Sequence, residues 1–185
     1  MILELLQDAE ERMKGAIKSL EDDLASYRTG RASPHLLDRL MVEVYGMEMP
    51  LNQLALVSVP EPQQLGIRPF DARTLSAIER AIFKSDLGLT PNNDGKIIRL
   101  NIPMLTEERR RQLTRLVGGR VEDAKVAVRN VRRDVLNDFR DLKNESDITE
   151  DEFFRAQDQL DELTKKFVEK IDQLGRAKNA EIMEV

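Results

Sequence analysis

The sequence predicts an α+β protein: a long three-helix bundle, discontinuous in sequence, with an inserted small α+β (β/α/β) domain. Three observations predict it. All seven prolines fall between Pro34 and Pro103. The two flanks carry long apolar stripes at helical spacing, and the middle alternates like strands. A proline inside a helix costs about 3 kcal/mol, so the flanks are free to be long helices and the middle is not.

The first stripe runs Ile2, Leu6, Ala9, Met13, Ile17, Leu20, Leu24 and Tyr27, in steps of three and four, with Gly30 and then Pro34 expected to end it. In the middle, Met41 to Tyr45 alternates as a strand up to Gly46. Leu54 to Val59 and Leu65 to Phe70 are short β-like runs interrupted by Pro60 and Pro62. Ala72 to Lys84 reads as a short helix with Leu75, Ile78 and Ile82 on one face. Asn92-Asn93-Asp94-Gly95 is a turn before a strand from Ile97 to Ile102.

A helix then starts at Leu105-Thr106-Glu107-Glu108, with Thr106 as N-cap and acids in the first turn. Its stripe is Leu113, Val117, Val121, Ala124, Val128, Val131, Val135, Phe139 and Leu142. After a break at 144–147, Thr149 and Glu152 form a capping box with an Ile148–Phe153 staple. The last stripe is Phe153, Ala156, Leu160, Leu163, Phe167, Ile171 and Leu174. Three single-striped helices bury their stripes against one another, so residues 1–30 and 105–185 form the bundle and 31–104 the insertion. Two short crossings, near 30–34 and 102–105, are expected to act as hinges.

Composition removes much chemistry. With no Cys there is no disulfide, thiol nucleophile or Cys-ligated zinc, and the single His35 cannot make a two-His metal site. Paired acids such as Glu107-Glu108 and Glu150-Asp151-Glu152 occupy helix first turns, where the helix dipole accounts for them. No Gly-Lys-Ser or Gly-Lys-Thr phosphate loop is present. The N-terminus lacks a basic signal-peptide region, and no apolar run reaches the roughly 18 residues that span a membrane. These features lead to expectations of a cytoplasmic protein that is not an enzyme, with no cofactor and no metal.

Charge is more informative by segment than in total. The chain carries a net charge of -5, yet residues 106–143 hold 11 basic and 7 acidic residues, a net +4. At about 100° per residue, Arg111, Arg115, Arg129, Arg133 and Arg140 fall within roughly 40° of one another, opposite the apolar stripe. Lys125 and Arg132 flank them. Arginine favours bidentate phosphate contact, so the functional reading is an elongated surface for a nucleic-acid backbone. The competing reading is a solvated helix face. No aromatic residue interleaves the arginines, which disfavours base stacking. Gly118-Gly119 interrupts the helical stripe as a local bend or tolerated defect.

Several blocks carry a family likeness. Arg28-Thr29-Gly30-Arg31-Ala32-Ser33-Pro34 with Leu36-Leu37-Asp38 resembles the first hinge signature of the bacterial ribosome recycling factors. Ser85-Asp86-Leu87-Gly88-Leu89-Thr90-Pro91, with Asp94-Gly95 and Ile98-Arg99, is similar to their second domain. Leu105 to Arg111 and Ala124 to Arg133 resemble their basic helix, and Glu181 to Val185 their ending. The chain departs from the family at Val44-Tyr45, where two tyrosines are usual, at Phe70, where Trp is frequent, and at Gly118-Gly119.

The resemblance implies an L-shaped, tRNA-sized protein whose hinge comprises Gly30, Arg31, Ala32, Ser33 and Pro34 with Ile102, Pro103, Met104 and Leu105. It implies a translation factor, expected as a monomer, that binds the post-termination 70S ribosome. With elongation factor G and GTP, such a factor splits the subunits and releases them from mRNA. The bundle is then expected against 23S rRNA of the large subunit. Arg129, Arg132 and Arg133 match the family's RNA-contacting motif, with Arg110, Arg28 and Arg31 as further contacts. Arg111 and Arg115 join them from the helix face described above.

Overall fold

The computed structural model describes residues 1–184, which divide into two compact units. One comprises Met1–Arg28 and Glu107–Glu184, the other Thr29–Thr106. The first is built from α1 (Ile2–Ala25), α4 (Glu107–Asn144) and α5 (Glu150–Met183). The second contains β1 (Met41–Val44), β2 (Met47–Pro50), α2 (Leu51–Leu54), β3 (Ala55–Glu61), β4 (Gln64–Pro69), α3 (Leu75–Lys84), β5 (Pro91–Asn93) and β6 (Ile98–Asn101). Short 3-10 turns at Pro34–Leu37 and Ala72–Thr74 complete it.

In the helical unit the stripes meet as their periodicity requires. Ala9, Met13, Ile17, Leu20 and Leu24 of α1 are buried with Leu113, Val117, Val128, Val135 and Phe139 of α4. Phe153, Ala156, Leu160, Phe167 and Ile171 of α5 close the core. The 38 residues of α4 make a rod of about 57 Å. Ion pairs Arg12–Asp134 and Arg120–Asp23 set α1 antiparallel to α4, and Lys125–Asp172 with Arg132–Asp161 do the same for α5. The Thr149–Glu152 capping box opens α5, and Ile148 and Phe153 beside it are both buried.

Two details of the bundle differ from the sequence reading. α1 stops at Ala25, short of Tyr27 and Gly30, because the Ser26 hydroxyl donates to the Asp23 carbonyl at 2.6 Å and competes with the helical ladder. Within the last stripe Gly175 is buried between helices and Leu174 is only partly so. A Cβ on Gly175 would stand 2.7 Å from Val121 Cγ2, so the glycine lets α4 and α5 approach. Gly118 and Gly119 leave α4 continuous, and a Cβ on either would meet nothing within 4 Å.

The insertion packs α3 on a four-stranded antiparallel sheet of order β3-β4-β6-β5, with Leu65, Ile67, Ile78, Ile82, Ile98 and Leu100 at its centre. Pro60 does not end β3, because β3 is the sheet's edge and a missing N–H costs no ladder bond there. The hairpin β1–β2 turns on Tyr45 and Gly46, both at positive φ (53° and 77°). β2, α2 and β5 were not expected from the pattern of residues. β5 begins with Pro91 and two asparagines, and its pairing with β6 makes it a strand.

The segments expected as hinges lie inside the second unit. Gly30 has φ +76°, and a Cβ there would meet Leu105 Cγ at 3.5 Å and the Pro103 carbonyl at 3.7 Å. The Ala32 N–H donates to the Pro62 carbonyl and Ile102 N–H to the Gln63 carbonyl, each at 2.8 Å. Ser33 Oγ accepts from the His35 N–H and starts the turn at Pro34. The division between units therefore falls at 28/29 and 106/107, just outside the expected segments.

Candidate nucleic-acid interface

The long basic face follows from α4 being one uninterrupted helix. Arg111, Arg115, Arg129, Arg133 and Arg140 are all exposed, on the side away from the core. What distinguishes them is where the nearby acids go. Asp134 is drawn to α1, accepting from Arg12 at 2.7 Å, and Asp123 pairs with Arg120 at 3.6 Å. Glu107 holds Arg111, and Glu122 lies 3.7 Å from Arg129.

Arg133 and Arg140 are held by neutral groups. Arg133 donates to Asn130 Oδ1 at 3.2 Å and Arg140 to Asn137 Oδ1 at 3.1 Å, the same arrangement repeated one heptad on. Arg129 Nε donates to the Lys125 carbonyl at 3.3 Å. An amide orients a guanidinium without neutralising it. Among the described residues Arg115, Arg133 and Arg140 have no carboxylate partner, so this stretch keeps its positive field.

The two flanking cations differ from the face. Lys125 lies in the α4/α5 seam, its ammonium 2.6 Å from Asp172 and 3.5 Å from Glu122. The hydrogen bond that Lys125 donates to Asp172 raises the Lys125 pKa above its ordinary value. Arg132 lies one heptad further along the seam and donates through Nε to Asp161 Oδ1 at 2.7 Å.

Arg110 turns toward the apolar side of α4 and is half-buried; its Nε is buried without a hydrogen-bond partner. Arg28 is exposed at the end of the helical unit, and Arg31 is exposed in the other unit. The structure thus brings Arg111, Arg115, Arg129 and Arg133 onto one face and sets Arg132 at its border. Asp161, Asp172, Asn130 and Asn137 carry no role that the sequence alone reveals. The heptad spacing of the two Asn–Arg pairs was the available signal; nothing local marks the acids of α5.

Among the described residues no group of three or more His, Asp or Glu is placed to hold a metal, and no helix is long and apolar enough to cross a membrane. His35 is exposed and bonded to Asp38 at 2.9 Å.

Fold and face together define a class: a two-unit α+β protein presenting a rigid, arginine-lined helix. The ribosome recycling factor family model matches residues 20–183, and this chain belongs to that family, whose members are translation factors rather than enzymes. It is 55% identical over 185 residues to the ribosome-recycling factor of Roseiflexus sp. (strain RS-1) and equally to that of Halalkalibacterium halodurans, with 100% of each chain covered. A solution structure of the ribosome recycling factor aligns with TM-score 0.76 at 41% identity, covering 100% of this chain and 98% of that one. A second similar structure describes the T. thermophilus ribosome recycling factor and E. coli elongation factor G bound to the E. coli post-termination complex. It aligns with TM-score 0.67 at 43% identity, with both chains covered in full.

Proposed function

We propose that this chain recycles ribosomes after termination in the bacterial cytoplasm: it binds the post-termination ribosome and, with elongation factor G and GTP, splits the subunits and frees them from mRNA. The observation that carries the proposal is the exposed arginine face of α4, where Asp134 pairs with Arg12 of α1 and Arg133 and Arg140 are held by asparagine amides. Such a face suits a folded RNA backbone, read by charge and shape. Arg129, Arg132, Arg133, Arg111 and Arg115 contact 23S rRNA of the large subunit; Arg110, Arg28 and Arg31 are secondary contacts.

The work is mechanical. The bundle anchors, and rotation at the two chain crossings lets elongation factor G act on the second unit. The hinge of this reading is formed by residues 30–34 and 102–105, next to the boundaries between the units at 28/29 and 106/107. Sucrose-gradient sedimentation of post-termination 70S ribosomes tests the reading. Subunits should appear only when this protein, elongation factor G and GTP are all present. Intact 70S particles under those conditions would exclude recycling.

A further inference from the structure

We propose that Asp161 on α5 is a positioning residue for Arg132, fixing its guanidinium so that the outer Nη groups face the RNA phosphate; this rests on the reading of α4 as the RNA-binding helix. The geometry is specific to Arg132. Its side chain is 33% exposed, so the stem lies along the α4/α5 seam while the head reaches the border of the face. The 2.7 Å bond leaves from Nε, on the inner edge of the fork. A guanidinium carries five N–H donors in one plane; holding the Nε–H fixes that plane and leaves four donors on the Nη nitrogens. Among the described residues Arg132 has no other hydrogen-bond partner.

The neighbouring pairs show what a consumed cation looks like. Lys125 has one nitrogen, is 20% exposed, and gives that nitrogen to Asp172 and Glu122. Arg111 gives its Nη2 to Glu107. Arg132 alone among these cations is bonded across helices through the atom that a phosphate does not need. A free arginine loses rotamer entropy on ordering, and Asp161 makes part of that loss before RNA arrives.

Two accounts of Asp161 predict opposite signs. If Asp161 only neutralises charge, Asp161→Ala strengthens binding and steepens its salt dependence. If it positions Arg132, Asp161→Ala weakens binding despite the added positive charge. Purified 50S subunits are titrated with wild type, Asp161→Ala, Asp161→Asn, Arg132→Ala and the Asp161→Ala/Arg132→Ala pair, with helix content by circular dichroism as the folding control. The expected result is a loss of about 3- to 10-fold for Asp161→Ala. Asp161→Asn, which keeps an acceptor oxygen, loses less, and Asp161→Ala adds nothing once Arg132 is gone. In the free protein, NMR of the Arg132 Nε–H should show slow exchange that Asp161→Ala abolishes.

Unchanged or tighter binding by Asp161→Ala, an equal loss in the Arg132→Ala background, or unaltered Nε–H exchange would each overturn the proposal. If Arg132→Ala itself binds like wild type while its Nε–H is slow in the wild type, the RNA-contact role of Arg132 fails, and the positioning role with it. If wild type does not bind 50S subunits at all, the recycling reading fails as well.

Discussion

Gly175 of α5 lies so close to Val121 of α4 that a Cβ on residue 175 would stand 2.7 Å from Val121 Cγ2. Valine in a helix is confined to essentially one χ1 rotamer, so it cannot easily turn aside. Alanine at 175 would gain about 1 kcal/mol of helix propensity and lose about 1–3 kcal/mol to overpacking. Gly175→Ala is therefore expected to be no more stable than wild type and up to about 2 kcal/mol less stable by urea unfolding. Adding Val121→Ala should relieve the clash. If Gly175→Ala raises stability, the close approach is not what selects glycine there.

Gly118 and Gly119 are the opposite case. Both sit within α4, and neither would place a Cβ against anything within 4 Å. Gly118→Ala and Gly119→Ala should each stabilise the protein by about 0.5–1 kcal/mol, read as a higher urea midpoint. Destabilisation by either would mean that the helix backbone is distorted at this pair.

The N-terminus of α5 has a pH dependence with a definite sign. The Thr149 N–H donates to Glu152 at 2.7 Å, and this backbone bond, followed by the Thr149 hydroxyl, holds the Glu152 pKa below its ordinary 4.5. A depressed carboxylate contributes stability above its unfolded pKa and loses it as pH falls through the lower folded value. The exchange protection factors of the Thr149 and Glu152 amides, corrected for the intrinsic pH dependence of exchange, should thus hold at pH 6 and fall as pH drops below about 4.5. Glu152→Gln should flatten this profile. Thr149→Ala, which removes the cap, should cost about 1 kcal/mol.

Arg12 and Asp134 join α1 to α4 at 2.7 Å, yet both side chains are more than 40% exposed. An exposed pair contributes at most about 1 kcal/mol, so Arg12→Ala should lower the urea midpoint only slightly. Its effect on RNA binding should be visible nonetheless, because Asp134 is then free to face the arginines. A 50S titration at low salt should show weaker binding, and no change would mean that the placement of Asp134 does not shape the field of the face.

The bundle was legible because burying a stripe demands a period. Met13, Ile17, Val128, Phe139 and Ile171 were all readable as core from spacing, and all are at most 4% exposed. The end of α1 was not, since it is decided by one Ser26 hydroxyl competing for one carbonyl. β2 and β5 are not legible in the sequence because their strand state comes from partners: β5 is Pro91-Asn92-Asn93, turn residues made into a strand by pairing with β6. The site shows the same division. The arginine face is a property of one helix and could be placed from 100° steps. Asp161 and Asp172, which hold its border, lie on another helix and come into reach only when α4 and α5 pack.

Binding of ribosomal RNA by the arginines of α4 is read from the salt dependence of affinity for the large subunit. The affinity of wild type and of Arg129→Ala/Arg132→Ala/Arg133→Ala for 50S subunits is measured from low to moderate salt. The triple variant should lose much of its affinity, with a log–log salt slope shallower by about 0.7–0.9 for each phosphate contact removed. Equal affinity and an equal slope for the two proteins would mean that these arginines do not hold the RNA.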